Sequence, residues 1–297
     1  MPCCMIARRV AGIARRVTGV TTAVVSLWFA AIATAENIPP NAPLPDPRQI
    51  KDRVLETERK AMKDKERYLC EVHEETDEAD AKGKPLKHTS TESEQFYVNG
   101  QEIDHTLSKD GQALSGGAEK KEQERVDKEV KKYSDPKQVK KAEQEEEKDA
   151  ELFLKALRYT NGGRAYLDGR AILSYDLSGD PNFHPRKLEE QFAHALTGRI
   201  SVDEESGELI DLRVATDHDI KILGFVGNLK KGFQFHMSQK RQPDGVWMAD
   251  LVEGNGSARA LFFNRNLRFL ARTNRCRLYN VDATSTTTPP ASSPVPH

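Results

Sequence analysis

The stretch from Thr197 to Val281 constrains the fold more than any other, because apolar and polar residues alternate along it with a period of two. Such alternation, divided by turn residues, is typical of an antiparallel meander with one buried face. Turn signals stand at Glu205–Gly207, Pro243–Gly245 and Gly254–Gly256, and Leu267 to Val281 forms the last strand. We therefore predict an α+β fold in which helices cover the concave face of a curved antiparallel sheet, an unclosed half-barrel.

Helices and further strands are predicted before this meander. A helix capped by Asp46 is expected over residues 47–67, followed by a first strand over residues 68–73. Asn99-Gly100 is the strongest two-residue hairpin signal in the chain. The N-terminal part of the sequence therefore supplies strands that can extend the same sheet.

A highly charged helical insertion is predicted over residues 118–158, and Asn161–Gly163 is expected to end it. Its first half carries only a thin apolar stripe, formed by Val126, Val130 and Tyr133. Two interpretations follow. The insertion is either a coiled-coil arm for a partner or a solvated pair of helices that rests on the sheet by a few residues, and the second is preferred.

The first 35 residues resemble an export signal. Two arginine pairs precede an apolar run over residues 20–31, and Ala33-Thr34-Ala35 is a small-residue cleavage site. The apolar run is shorter than the roughly 20 residues that a membrane span needs. We therefore expect cleavage near Ala35 and a mature protein in the periplasm or outside the cell, with an uncleaved anchor as the alternative.

The mature chain is expected to hold one domain. A proline-rich spacer over residues 36–47 should keep the new N-terminus extended and away from the core. A single domain over residues 48–281 follows, with the charged insertion inside it. A Ser/Thr/Pro-rich tail over residues 282–297 is expected to be disordered.

Charge and cysteine content limit the partners and the chemistry. Without the four arginines of the leader, 41 basic residues face 46 acidic ones, which argues against nucleic acid as a partner. Cys70 and Cys276 lie on the first and the last predicted strands. In an oxidising compartment they could form a disulfide, and two separate buried thiols are the alternative.

Catalytic patterns are scarce. The sequence contains no HExxH, GxSxG, phosphate-loop or GxGxxG motif. Asp217-His218-Asp219 could hold a metal, but it lies where the strand alternation lapses, and an exposed loop is preferred. The abundant carboxylates lie in charge runs rather than among apolar neighbours, where a catalytic acid needs to be. We therefore predict a protein that is not an enzyme and that uses no cofactor or metal.

The alternative to catalysis is binding in a cavity between sheet and helices. The inner face of the meander is predicted to carry the apolar residues that would line such a cavity. These candidate ligand-binding residues are Ile200, Val202, Ile210, Leu212, Val214, Phe233, Phe235, Trp247, Leu251, Leu261 and Phe263. Residue types alone favour the plainer interpretation that they form an ordinary core.

Three short motifs carry a resemblance to a known superfamily. Gly198-Arg199-Ile200-Ser201-Val202-Asp203 resembles the G-x-I-x-I-D strand of the periplasmic lipoprotein-carrier proteins, which include LolA and LolB. Lys231-Gly232-Phe233-Gln234-Phe235 and Asp244-Gly245-Val246-Trp247-Met248 resemble the strands that follow. The resemblance implies an unclosed antiparallel barrel with a helical lid and an apolar cavity for acyl chains. The long charged insertion, and Val202 in place of isoleucine, depart from the pattern.

Together these observations predict an exported protein that binds a hydrophobic ligand without catalysis. The resemblance implies that its partners are the acyl chains of lipoproteins or lipids. The first alternative is an envelope interaction or sensor module with a filled core, which would bind another envelope protein through the charged helices. A third and weaker interpretation is a secreted enzyme whose site carries no recognisable motif.

Overall fold

The computed structural model describes residues 39, 41–222, 227–260 and 263–279. The predicted export signal and the C-terminal tail lie outside these residues. Strands make up most of the described structure. In chain order they are β1 Tyr68–Asp80, β2 Pro85–Val98, β3 Gln101–Lys109, β4 Gln112–Ala113, β5 Leu157–Leu167, β6 Arg170–Gly179, β7 Leu196–Asp203, β8 Leu209–Thr216, β9 Ile220–Ile222, β10 Gly227–Leu229, β11 Gln234–Arg241, β12 Trp247–Ala260 and β13 Phe263–Leu278.

Four helices are described. They are α1 Pro47–Lys65, α2 Gly116–Lys132, α3 Pro136–Ala156 and α4 Leu188–His194. Helix α1 begins at the predicted position, and Asp135 caps α3 by accepting a hydrogen bond from the Lys137 N–H. No helix within the described ranges combines the length and the apolarity needed to cross a membrane.

All the strands belong to one antiparallel sheet. Their order is β4-β3-β2-β1-β13-β12-β11-β8-β7-β6-β5, and the β9–β10 hairpin joins through β12. The last strand lies beside the first, so the two ends of the domain meet in the middle of the sheet. The sheet is not closed into a barrel. The predicted fold class, an α+β chain with an unclosed antiparallel sheet and helices, is confirmed.

The main core lies between one face of the sheet and the helices. It joins Leu212 and Val214 of β8 to Ile50 of α1, Phe153 of α3 and Phe192 of α4, all of them buried. Strands of an antiparallel sheet present every second residue to the same face, so the alternation read from the sequence becomes one apolar surface. Helices α1, α3 and α4 cover that surface.

The charged insertion lies on the body of the protein. Helix α2 packs on β3, where Val126 is 1% exposed. Arg125 donates a hydrogen bond to the Asp104 carbonyl, and Glu122 accepts one from the Thr106 N–H. Helix α3 packs against α4 and β5. These contacts favour the interpretation of helices that rest on the sheet over that of a projecting coiled-coil arm.

The glycines at 254 and 256 do not form the predicted turn. Strand β12 runs straight through them, and the chain reverses after Ala260. A Cβ atom at Gly254 would lie 2.5 Å from Cζ of Phe269, and one at Gly256 would lie 2.7 Å from Cδ2 of Phe233. These glycines are therefore needed because aromatic rings approach the strand closely, which is the other common reason for glycine within a strand.

The predicted helix end at Asn161–Gly163 is also wrong. Helix α3 ends at Ala156, and β5 runs through these three residues. The pairing with β6 shifts register between Thr160 and Gly163, and Asn161 has a φ of 49°. The Asn-Gly-Gly sequence therefore forms a β-bulge, which needs the same permissive backbone as a helix end.

Candidate functional site

Six of the predicted cavity residues share the helix-covered face of the sheet. They are Ile200, Val202, Leu212, Val214, Phe233 and Phe235, and their exposed fractions range from 1% to 7%. A side chain that exposes so little surface is in contact with protein atoms on nearly every side. In the structure these residues therefore form part of a packed core.

Two further candidates lie on the opposite face. Ile210 and Trp247 form a small separate cluster with Ile172. The pairing of β7 with β8 shifts register next to Ile210, which removes this residue from the alternation that Leu212 and Val214 follow. Trp247 is the first residue of β12, and its sequence neighbours Val246 and Met248 both belong to the main core, so Trp247 points away from that core.

The three remaining candidates are Leu251, Leu261 and Phe263. Leu251 is half-buried, and the next residue, Val252, belongs to the main core. Leu261 and the side chain of Phe263 lie outside the described residues. The structure thus brings together six of the eleven candidates. The register shift that separates Ile210 from them cannot be predicted from alternation with a period of two.

Aromatic rings fill much of the space between sheet and helices. The rings of Phe153 and Phe192 meet edge to face at 6.4 Å between centroids, and Phe192 lies at the same distance from Phe233. Phe235 lies 6.2 Å from Phe269, whose ring covers Gly254. The first set of rings links α3 and α4 to the residue before β11, and the second links β11 to β13.

Gly198 and Asp203, the first and last residues of the Gly198–Asp203 motif, stabilise the backbone structure around them. A Cβ atom at Gly198 would lie 2.8 Å from the Cα of Val214, so only glycine allows β7 to approach β8 there. Asp203 is fully buried, and its carboxylate accepts hydrogen bonds from Arg170 Nη2 at 2.7 Å and from the Ser206 N–H at 2.8 Å. Burial alone would raise the pKa of Asp203, but these hydrogen bonds outweigh it and lower that pKa.

A shallow groove of about 450 Å³ crosses the face of the sheet opposite the helices. Arg213, His236 and Glu253 line it, each next to a core residue that points the other way. His236 bridges two carboxylates, with Nε2 at 3.0 Å from Asp211 and Nδ1 at 3.1 Å from Glu253. Polar and apolar groups line the groove in similar amounts. Its charged side chains are paired, His236 with Glu253 and Arg213 with Asp211.

Histidine–carboxylate pairs also occur on β1 and β2. His73 Nδ1 lies 2.6 Å from Glu92, and its Nε2 lies 3.2 Å from Glu75. The hydrogen bonds to Glu75 and Glu92 raise the pKa of His73. Within the described part of the chain, no group of three or more His, Cys, Asp or Glu side chains is placed to hold a metal ion.

The Asp217-His218-Asp219 segment is an exposed loop, as predicted. Asp217 and His218 are each 51% exposed. Asp219 accepts hydrogen bonds from Lys230 Nζ at 2.7 Å and the Lys231 N–H at 2.8 Å, which lower its pKa to about 2. This carboxylate fastens the loop to the segment between β10 and β11.

Cys70 and Cys276 form a disulfide in the structure, with an S–S distance of 2.05 Å. They face each other in the pairing of β1 with β13. Cys70 is fully buried and belongs to the main core. The bond is therefore a structural link between the first and the last strand rather than an exposed redox centre.

A second site involves the proline-rich segment before α1. Arg164 of β5 makes a bidentate ion pair with Glu204, with Nε–Oε2 and Nη2–Oε1 distances of 2.5 and 2.6 Å. The two side chains are only 2% and 8% exposed. Arg164 Nη1 also donates to the Ala42 carbonyl at 2.6 Å, and the Tyr175 hydroxyl donates to the Pro45 carbonyl at 3.2 Å. The described part of this segment is thus bound to the sheet instead of extending away from it.

Sequence reasoning missed this site. Glu204 lies 40 positions after Arg164, and the segment that they hold lies more than a hundred positions before it. No local sequence pattern connects Arg164, Glu204 and the proline-rich segment. The only nearby signal is Gly162-Gly163 within β5, which marks a place where another group approaches the backbone.

Comparisons with known proteins give only remote similarities. No protein-family model matches the sequence, and no curated protein matches it. Among solved structures, a DUF1329 family protein from Desulfovibrio piger aligns over 81% of this chain and 96% of its own, with 12% identity and a TM-score of 0.31. A putative outer membrane lipoprotein-sorting protein domain from Vibrio parahaemolyticus aligns over 77% and 93%, with 9% identity and a TM-score of 0.30.

A third structure, the MucA/MucB complex of Pseudomonas aeruginosa, aligns over 80% of this chain and 100% of the matched chain, with 9% identity and a TM-score of 0.22. Scores this low describe loose similarity in the arrangement of strands and helices. Neither the family nor the function of this chain follows from them.

Proposed function

We propose that the protein is an exported, non-catalytic binding protein that holds an apolar ligand, such as an acyl chain, between its sheet and its helices. The proposal takes the export signal to be cleaved near Ala35 and residues 48–281 to form one domain. Its support is the continuous apolar surface of β7, β8 and β11, which faces helices rather than a second sheet. In the structure this surface is packed. A ligand would therefore have to enter by displacing a helix.

Helix α1 is the element best suited to lift. Hydrogen bonds from Arg53 Nη1 to the Glu204 carbonyl and from Thr57 Oγ1 to the Ser206 carbonyl, both 2.5 Å, fasten its middle to the loop after β7. Near its end, the Gly100 N–H donates to Glu66 at 2.6 Å. These polar attachments can be exchanged for hydrogen bonds to water. Apolar burial, at about 25 cal/mol per Å², would supply the affinity for a ligand.

Photocrosslinking with a diazirine-bearing fatty acid tests the proposal. The mature protein would be incubated with the probe, irradiated and digested, and the adducts mapped by mass spectrometry. Saturable adducts at Val214, Phe235 or Phe269, on the helix-covered face, are the expected result. Trp247 and Ile172 on the opposite face provide an internal control, because nonspecific adsorption would label them equally well. Equal labelling of both faces, or none, would overturn the proposal.

The second candidate function is an envelope interaction module with a filled core. The observation that favours it is the low exposure of the six core candidates, between 1% and 7%. Such a module would use the charged outer surfaces of α2 and α3, because Val126, the first residue of the predicted apolar stripe, is buried against the sheet. An absence of bound lipid in native mass spectra of the protein purified from the periplasm, with no uptake of added lipid, is the result that this candidate predicts.

A further inference from the structure

Arg164 uses its whole guanidinium group in holding the proline-rich segment. One edge of the group pairs with both carboxylate oxygens of Glu204. The remaining N–H groups point to the segment, and Nη1 reaches the Ala42 carbonyl at 2.6 Å while Nη2 reaches the Pro43 carbonyl at 3.3 Å. The guanidinium therefore links the sheet, through Glu204, to the backbone of a segment more than a hundred residues away.

The ion pair depends on that segment for its burial. With Arg164 at 2% and Glu204 at 8% exposure, the pair is removed from water almost completely. Such a pair is stable only when its remaining hydrogen-bonding groups find partners, because desolvation is otherwise not compensated. The carbonyls of the segment are those partners on the side away from Glu204, so the buried pair and the bound segment require each other.

The rest of the site fits an extended, proline-rich chain. The rings of Tyr159 and Tyr175 meet edge to face at 6.5 Å, and with Gly162 they line the sheet side of a cavity of about 560 Å³ against the segment. A Cβ atom at Gly162 would lie 2.8 Å from the Tyr175 ring and 3.1 Å from Cδ1 of Leu44, so this position must lack a side chain for the segment to bind. Aromatic-lined grooves are a recurring means of recognising proline-rich peptides.

We propose that Arg164, Glu204, Tyr175 and Gly162 form a recognition site for an extended proline-rich peptide, and that residues 41–47 of the chain itself are its resident ligand. The hydrogen bonds that Arg164 and Tyr175 make to the segment all end on carbonyl oxygens. Proline lacks an N–H group, and a site that addresses only carbonyls does not discriminate against it. The proposal does not depend on whether the core takes up a ligand.

The test follows the segment in the mature protein by ¹⁹F NMR. Asn41→Cys, an exposed position next to the contacts, would carry a trifluoromethyl label, while the two cysteines of the core are already joined. A synthetic peptide of residues 36–47 is then added. Because the tethered segment has a local concentration of order millimolar, the peptide is needed at millimolar concentrations. Saturable conversion of the bound resonance into a free one is expected, and a peptide with alanine at positions 43 and 45 should convert at least about tenfold less well.

Two variants with matched controls examine the site itself. Arg164→Gln should shift the label to its free resonance, whereas Arg199→Gln, at a half-exposed arginine paired with Asp176, should leave it bound. Gly162→Ala should also free the label, because its Cβ would displace Tyr175 and Leu44, whereas a Cβ at Gly163 has 4.0 Å to its nearest neighbour. Gly162→Ala leaves the Arg164 and Glu204 side chains unchanged, so it remains informative if Arg164→Gln fails to fold.

Each outcome decides the matter. Release by peptide and by Gly162→Ala, with no release in the Gly163→Ala control, supports the recognition site. A free resonance in the unmodified protein, a bound resonance that Gly162→Ala leaves unchanged, or equal displacement by the proline and alanine peptides would each overturn it.

Discussion

Cys70 and Cys276 lie opposite each other on β1 and β13 and are joined by a disulfide, although 206 positions separate them in the sequence. The bond closes almost the whole described chain into one covalent loop. It also fixes the register of the two strands on which the termini of the domain meet. The sheet can therefore lose an outer strand without losing this central pairing.

Removing the disulfide should destabilise the protein by about 2–5 kcal/mol, because the reduced unfolded chain regains the freedom that a long closed loop denies it. The Cys70→Ala/Cys276→Ala double variant should show a lower urea midpoint than the unmodified protein. Adding a reductant to the unmodified protein should move its midpoint toward that of the variant. An unmodified protein whose midpoint is insensitive to reductant would contradict a structural disulfide.

Gly254→Ala should destabilise the protein by about 1–3 kcal/mol, because the new methyl group would overlap the Phe269 ring in a packed core. Gly117→Ala, in the first turn of α2, is the matched control. A Cβ there meets nothing within 4 Å, so this variant should be neutral or slightly stabilising. Denaturant unfolding of both variants distinguishes a glycine required by packing from one that is merely tolerated, and equal midpoints would refute the packing explanation.

Asp203→Asn should cost about 3–5 kcal/mol, because it leaves the guanidinium of Arg170 without its buried carboxylate partner. Since the pKa of Asp203 is lowered in the folded state, its contribution is present above the unfolded pKa and is lost as the pH falls through the folded value. The deficit of the variant should therefore shrink at acidic pH.

The control for that variant is Asp176→Asn, which breaks the half-exposed pair with Arg199. Pairs of this kind contribute about 0–1 kcal/mol. If the two variants lost equal stability at neutral pH, the burial of Asp203 would not be what makes its ion pair important.

His73 should stabilise the protein only when it is protonated. Its pKa is raised in the folded state by Glu75 and Glu92, so its contribution is fully present below the unfolded pKa of about 6.5 and is lost as the pH rises through the folded value. The stability difference between the unmodified protein and His73→Gln should accordingly be largest in mildly acidic solution. A two-dimensional NMR titration of the His73 ring measures the folded pKa directly, and a value at or below that of a free histidine would contradict the prediction.

The sequence was sufficient to predict the class of fold, because alternation with a period of two survives wherever one face of a strand is buried. It also placed the start of α1 and the Asn99-Gly100 hairpin correctly. Glycine was the main source of error. At Gly254 and Gly256 it makes room for rings from elsewhere in the chain, and at Gly162 and Gly163 it forms a bulge, and no local signal separates these uses from a turn.

The candidate sites were harder to predict for the same physical reason. One register shift moves Ile210 to the other face from Leu212, and nothing in the spacing of β8 announces it. The contact between Arg164 and the proline-rich segment joins residues that are distant in sequence and ordinary in type. The register shift at Ile210 and the contact of Arg164 both depend on which strands and segments lie next to each other, and the sequence of one strand does not reveal its neighbours.

The outermost strands of the sheet limit its growth. On one side β4 contains only Gln112–Ala113, and on the other the bulge at Thr160–Gly163 interrupts β5. Long, flat outer strands act as templates on which a second copy can add its own strand, whereas short or bulged ones do not. The bulge in β5, which contains the Asn-Gly-Gly sequence, thus leaves the sheet without a long regular outer strand on that side.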